Sequence, residues 1–211
     1  MSQILAIQGS PRGERSHSRR LLEAFVAHWQ AQGAGRAVVR REVGRVTIPP
    51  VSERWIAAAF QPEAQRDAAM RAELALSDQL IDELQGVERL VIATPMYNFG
   101  VPSGVKAWID QVVRIGRTFD FDPGAAGNPY QPLLTGKRAL IVTTRGDHGY
   151  GPGAINAARN HADTHLRSVL GFIGIEDVEV VAVEDDEYGG QSFADSYARA
   201  ERALTELAGS F

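Results

Sequence analysis

The stretch Ile4-Leu5-Ala6-Ile7-Gln8-Gly9-Ser10-Pro11-Arg12-Gly13-Glu14-Arg15-Ser16-His17-Ser18 passes from an apolar run to a polar, glycine-bearing loop. The run has the length of a buried strand, and Gly9-Ser10-Pro11 closes it. From Ser18 to about Gln32, Leu21, Leu22, Phe25, Val26 and Trp29 recur at helical spacing, and Gly33 to Gly35 stop the helix. Strand, polar loop and helix follow one another in the order of a parallel α/β unit, and the rest of the chain repeats that order.

A second strand fits Ala37 to Val43. Gly44 to Gln65 carries Pro49, Pro50 and Pro62 without strand alternation and reads as a long connection, with one helical turn around Trp55 to Phe60. Leu76, Leu80, Ile81 and Leu84 stripe a helix ending near Gly86, and Leu90-Val91-Ile92-Ala93 is the third strand. Thr94 to Gly100 is then a loop. Val101, Val105, Trp108, Ile109, Val112 and Val113 form the next helical face, followed by a loop-rich stretch from Gly116 to Gly136. Ala139 to Thr143 is the fourth strand, Gly146 to Gly153 a glycine-rich loop, and Ala157 to Leu170 a helix. Val178 to Val183 is the fifth strand, and Phe193, Tyr197, Ala200, Leu204 and Leu207 mark a closing helix. Five such strands predict one α/β domain over residues 1–211: a doubly wound parallel sheet of order 2-1-3-4-5 with helices on both faces.

Composition narrows the function. A net charge of −4 and a pI near 5.8 argue against a nucleic-acid partner, because phosphate backbones demand uncompensated Lys and Arg. With no cysteine there is no thiol nucleophile and no thiolate metal site. His161 and His165 have i,i+4 spacing on the predicted helix, but Ala162 stands where a His-Glu-x-x-His site needs its acid, so no metal is expected. Gly-x-Ser-x-Gly is absent, which leaves nucleophilic hydrolysis unsupported. Met1 to Gln8 shows no secretion signal and no apolar run approaches the roughly 20 residues of a membrane span, so a cytoplasmic protein without membrane attachment is expected.

In sheets of this order, ligands sit at the carboxyl ends of the strands beside the switch point. The loops after strands one, three and four are rich in Gly, Ser, Thr and Asn, whereas the loop after strand five is acidic, with Glu184 to Glu187. The first loop, Gly9 to Ser18, runs into a helix whose positive end favours an anion. It lacks Gly-x-Gly-x-x-Gly and Gly-Lys-Ser/Thr, so a monophosphate fits better than a diphosphate. In the second, Thr94-Pro95-Met96-Tyr97-Asn98-Phe99-Gly100, apolar and aromatic groups beside an amide suit a flat heteroaromatic ring. The third, Thr143 to Gly151, offers backbone N–H groups and the cation of Arg145.

These motifs, with Lys106, Gly116, Thr118-Phe119, Leu134-Thr135-Gly136-Lys137 and Leu170-Gly171-Phe172-Ile173-Gly174-Ile175, give the chain a resemblance, over nearly its full length, to the FMN-dependent NADH-azoreductases, also called FMN-dependent NADH:quinone oxidoreductases. The resemblance implies a flavodoxin-like fold and one tightly bound FMN per subunit, with NADH as donor and quinones or aromatic azo compounds as acceptors. It also implies a homodimer whose flavin sites are completed near the subunit interface. By the same resemblance Ser10 and Ser16, His17 and Ser18 would hold the FMN phosphate, and Pro95 with Met96 to Phe99 would line the isoalloxazine and ribityl. Thr144, Arg145, Gly146 and Asp147 would approach the pyrimidine end, and Phe119, Phe121 and Phe172 would line the substrate pocket. No side chain is expected to be catalytic in its own right, since the flavin carries the hydride. Asp147 departs from the glycine common there, and Arg12 and Arg15 depart from the usual phosphate loop. The competing readings are an NAD(P)H-dependent reductase of a nitroaromatic, chromate or free flavin, and a flavodoxin-type electron carrier.

Overall fold

The computed structural model describes residues 2–211. The chain runs β1 (Gln3–Gln8), α1 (His17–Ala31), β2 (Ala37–Glu42), α2 (Glu53–Phe60), α3 (Ala68–Gln85), β3 (Arg89–Pro95) and α4 (Ser103–Val112). It continues through β4 (Phe119–Phe121), β5 (Tyr130–Pro132), β6 (Arg138–Thr144), α5 (Asp163–Phe172), β7 (Asp177–Val183) and α6 (Gly190–Ser210). The main sheet has the order β2-β1-β3-β6-β7, and every pairing in it is parallel. This is the order expected from the sequence.

Strand alternation divides the core in two. Ile4 and Ala6 of β1, Val91 and Ala93 of β3, and Leu140 and Val142 of β6 face α1 and α6, against Leu21, Leu22, Phe25, Trp29 and Leu204. Their neighbours Leu5, Ile7, Leu90, Ile92 and Ile141 face α3, α4 and α5, against Leu80, Ile81, Trp108, Ile109 and Leu166. Ile7 pairs with Ile92 and Ile92 with Ile141, so β1, β3 and β6 end together and their following loops emerge side by side.

Four regions differ from expectation. Residues 53–60 form two helical turns in place of one, because Ser52 caps Trp55 N and the Trp55 indole donates to Gln111 Oε1 at 2.9 Å on α4. Thr94, Pro95 and Thr144 end strands rather than lie in loops. The stretch from Gly116 to Gly136 contains the antiparallel β4–β5 hairpin, whose three-residue strands are too short to show alternation. Residues 157–159 are a single 3-10 turn and α5 starts only at Asp163, because His161 N donates to Phe99 O at 2.8 Å and holds the segment off the helix axis. His161 and His165 therefore share no helix, and among the described residues no group of acids and histidines has the arrangement of a metal site.

Candidate active site

The loops after β1, β3 and β6 meet in one cleft of two compartments that share Met96, Gly146 and Glu187. The first, about 110 Å³, is lined by Ser10, Arg12, Ser16, His17, Pro95, Tyr97, Thr144 and Asp186. The second, about 290 Å³, adds Asn98, Phe99, Asp147, Tyr150 and Arg159.

The first compartment is built for an anion. Ser16 is the N-cap of α1, its Oγ accepting from Arg19 N at 3.3 Å, and the N–H groups of the turn before Arg19 have no partner within the helix. Ser18 is fully buried behind Ser16, with the two hydroxyls 3.2 Å apart, so it braces the cradle and does not line it. Ser10 Oγ accepts from Arg12 N, and Arg19 donates to Ser10 O at 3.0 Å while pairing with Glu42 at 2.7 Å, which ties the loop to the end of β2. The Arg20 guanidinium donates to His17 Nδ1 at 2.6 Å, so His17 is neutral and its Nε2–H faces Asp186 at 3.1 Å. Burial, acting against Asp186, keeps the His17 pKa below its ordinary value. The Asp186 carboxylate, 3.9 Å from Arg12 as well, stands in the position of a bound anion among these donors.

The second compartment rests on strained backbone. Asn98 and Phe99 have φ of 49° and 69°, held by reciprocal N–H···O bonds between Tyr97 and Gly100 of 2.9 and 3.0 Å. This turn leaves the Phe99 ring half exposed at the cleft. Asp147 accepts from His148 N at 2.8 Å, and its carboxylate lies 3.4 Å from His148 Nδ1 and not against Arg145. His148 also meets Asp185 at 2.7 Å, and that hydrogen bond raises its pKa.

Arg145 corrects the sequence reading. Its guanidinium is buried against Asp163 at 2.6 Å and Glu184 at 2.8 Å, and it faces a separate cavity of about 540 Å³ behind the loop. It lines neither compartment of the cleft, and its carbonyl accepts from Asp186 N at 3.2 Å. The acidic loop after β7, expected outside the site, folds over it. Glu187 N donates to Gly146 O at 3.0 Å, and the Glu187 side chain fills the space a Cβ at position 146 would need. Asp186 and Glu187 were not legible as site residues because the fold-back depends on Asp185 at φ 69°, a conformation with no strong local signature.

Phe119, Phe121 and Phe172 do cluster, around Tyr130, with ring centroids of Phe119 and Phe172 4.9 Å apart. They are not in the cleft of the same chain. Asp163 at the start of α5 pairs with Arg145 beside the carboxyl end of β6, whereas α5 ends at Phe172, and Ile173 O accepts from Leu134 N just before β6 begins. A ten-residue helix places them about 15 Å apart, at the opposite end of the sheet.

Residues 2–207 match the Flavodoxin_2 family, described as having a flavodoxin-like fold, and the chain belongs to that family. It is 61% identical to FMN-dependent NAD(P)H:quinone oxidoreductase 1 of Pseudomonas aeruginosa over 211 residues, covering 99% of each chain. It is 58% identical to FMN-dependent NADH:quinone oxidoreductase 1 of Pseudomonas fluorescens over the whole of both chains. Among solved structures, an azoreductase from Bacillus anthracis superposes with a TM-score of 0.88 over the full length of both chains at 22% identity. An FMN-dependent NADH-azoreductase of the same organism, solved with FMN, superposes at 0.83 and 19% identity, covering 99% of this chain and 100% of that one. At such identities these structures establish the fold.

Proposed function

We infer that this chain is an FMN-dependent NADH:quinone oxidoreductase that also accepts aromatic azo compounds. The observation that carries the reading is the single cleft in which an anion cradle runs into a ring-sized compartment edged by Met96 to Phe99. The names of the two Pseudomonas relatives support FMN, a nicotinamide donor and a quinone acceptor; those of the Bacillus structures support azo acceptors.

The residues present fit the cofactor. Buried hydroxyls, free N–H groups at a helix start and a carboxylate already resting on Arg12 and His17 are what a phosphomonoester requires. Bound FMN would supply the redox chemistry, taking hydride from NADH and giving it to the acceptor. The chain holds and orients. Ser10, Ser16 and His17 bind the phosphate, with Ser18 supporting Ser16. Pro95, Met96, Tyr97, Asn98 and Phe99 line the ring and ribityl, and Thr144, Gly146 and Asp147 lie at the pyrimidine end. His148 N and the other neighbours of Asp147 balance part of its charge, which moderates its effect on a reduced ring. Donor and acceptor would use the same cleft in turn, giving ping-pong kinetics.

The half-exposed aromatics Phe121, Tyr130 and Phe172, with Phe119, support a homodimer in which each copy presents this group to the cleft of the other. No helix among the described residues is long and apolar enough to cross a membrane, and the reading places the enzyme in the cytoplasm. Titrating apoprotein with FMN should give one flavin per chain and a sedimenting mass of twice 22.9 kDa. Riboflavin, lacking the phosphate, should bind far more weakly. Equal affinity for riboflavin would remove the anion cradle from the site, and a fully active monomer would remove the shared pocket.

A further inference from the structure

Arg145 is buried, yet its guanidinium points at two carboxylates from distant parts of the chain and not at the cleft. Nη2 donates to Asp163 Oδ1 at the start of α5, and Nη1 donates to Glu184 Oε1 in the loop after β7. A buried ion triad is a poor way to gain stability, because desolvation offsets most of the attraction. What this one supplies is a fixed link between three segments: the loop after β6, the start of α5 and the loop after β7.

Glu184 carries that link to the site. Its carboxylate also accepts from Gly149 N at 3.2 Å and Tyr150 N at 3.3 Å, while its own N–H donates to Ser196 Oγ at 2.9 Å on α6. The guanidinium carbon of Arg145 is 5.5 Å from the centroid of the Tyr150 ring, and Asn160 donates to Tyr150 O at 3.1 Å. The loop after β6 is thus fastened at both ends. Arg145 N donates to Val183 O at 2.8 Å at one end, and Glu184 and Asn160 hold Gly149 and Tyr150 at the other. Between the two anchors lie Gly146 and Asp147, which line the larger compartment and whose N–H groups make no main-chain hydrogen bond among the described residues. With so few residues between fixed points, the direction of those N–H groups follows from the anchors.

We propose that Arg145 is a positioning residue: through Glu184 and Asp163 it sets the loop after β6 so that the main chain of Gly146 and Asp147 meets the pyrimidine edge of the flavin. The proposal rests on the flavin reading of the cleft. Neither Arg145 nor Glu184 lines the compartments, so the effect passes through main chain.

Riboflavin shares the ring of FMN but not its phosphate, and so separates ring contacts from the anion cradle. The test titrates both flavins into the native apoprotein and into Arg145→Lys, Glu184→Ala and Glu184→Gln, recording the visible spectrum of each complex and the melting of each apoprotein. Lysine keeps the charge but loses the fork that spans two carboxylates. Arg145→Lys should weaken FMN and riboflavin by the same factor, about tenfold, and shift the flavin bands, as the loss of roughly one hydrogen bond to the ring would. The Glu184 side chain is partly exposed, and its removal leaves the Arg145–Asp163 pair, so Glu184→Ala should show the same loss in a protein that folds. Glu184→Gln, which retains an oxygen for Gly149 N and Tyr150 N, should recover most of it. A lower melting temperature with native affinities and native bands would overturn the proposal in favour of stability alone. A loss for FMN but not for riboflavin would also overturn it, by placing the effect at the anion cradle, which the bond from Asp186 N to Arg145 O reaches. A native protein that takes up neither flavin would instead sink the flavin reading, an outcome distinct from either.

Discussion

At the scale of single residues, Ser16 has two duties that one substitution separates. It caps α1 and it faces the anion compartment. Aspartate is as good an N-cap as serine, so Ser16→Asp preserves the helix start while setting a negative charge against the phosphate. The expected outcome is unchanged far-UV circular dichroism and melting of the apoprotein, with FMN affinity reduced at least about a hundredfold, as expected when a carboxylate replaces a neutral hydroxyl against the phosphate in a partly desolvated site. Retained flavin would exclude the loop from the site. The placement of Ser10, Ser16 and Met96 to Phe99 around one cleft was legible because each lies in a loop that follows a strand. The fate of Arg145 was not, because Asp163 and Glu184, which draw its charge away, lie 18 and 39 residues further along.

At the scale of elements, the site depends on how closely the loop after β2 lies against its neighbours. A Cβ at Gly44 would come within 2.4 Å of the Ser10 backbone, and one at Gly104 within 2.0 Å of Val43 O. These are main-chain contacts that no rotamer change relieves. Gly44→Ala should cost about 1–3 kcal/mol of stability and, because Ser10 must shift, should also weaken FMN binding. The measurement is chemical unfolding of the apoprotein beside FMN titration; a loss of stability with native affinity would show that Ser10 is not part of the cradle. The main strands and the long helices were readable because their apolar periodicity is strong. The β4–β5 hairpin and the 3-10 turn at 157–159 were not, since the first is too short to show a period and the second is set by a tertiary hydrogen bond to Phe99. Intrinsic helical pattern past Ala157 lost to that contact.

At the scale of the whole molecule, the sheet order puts chemistry at both ends. The flavin-sized cleft opens at the carboxyl ends of the strands, and the Phe119, Phe121, Tyr130 and Phe172 group closes the amino ends. A single copy cannot bring the two together, as the proposed homodimer would. The strand order could be inferred from alternating strand and helix patterns alone. The separation of the aromatics from the cleft could not, because it depends on α5 crossing the full length of the sheet.

The proposed function is that the cleft holds FMN and passes hydride from NADH to a quinone. Its most direct test is anaerobic stopped-flow of the FMN-loaded protein, mixed first with NADH and then with 1,4-benzoquinone. NADH should bleach the visible flavin band rapidly, the quinone should restore it within one mixing step, and initial-rate plots at several quinone concentrations should be parallel. A flavin band that NADH bleaches only sluggishly, while an external one-electron donor reduces it readily, would contradict hydride transfer from NADH and leave an electron carrier on the same fold.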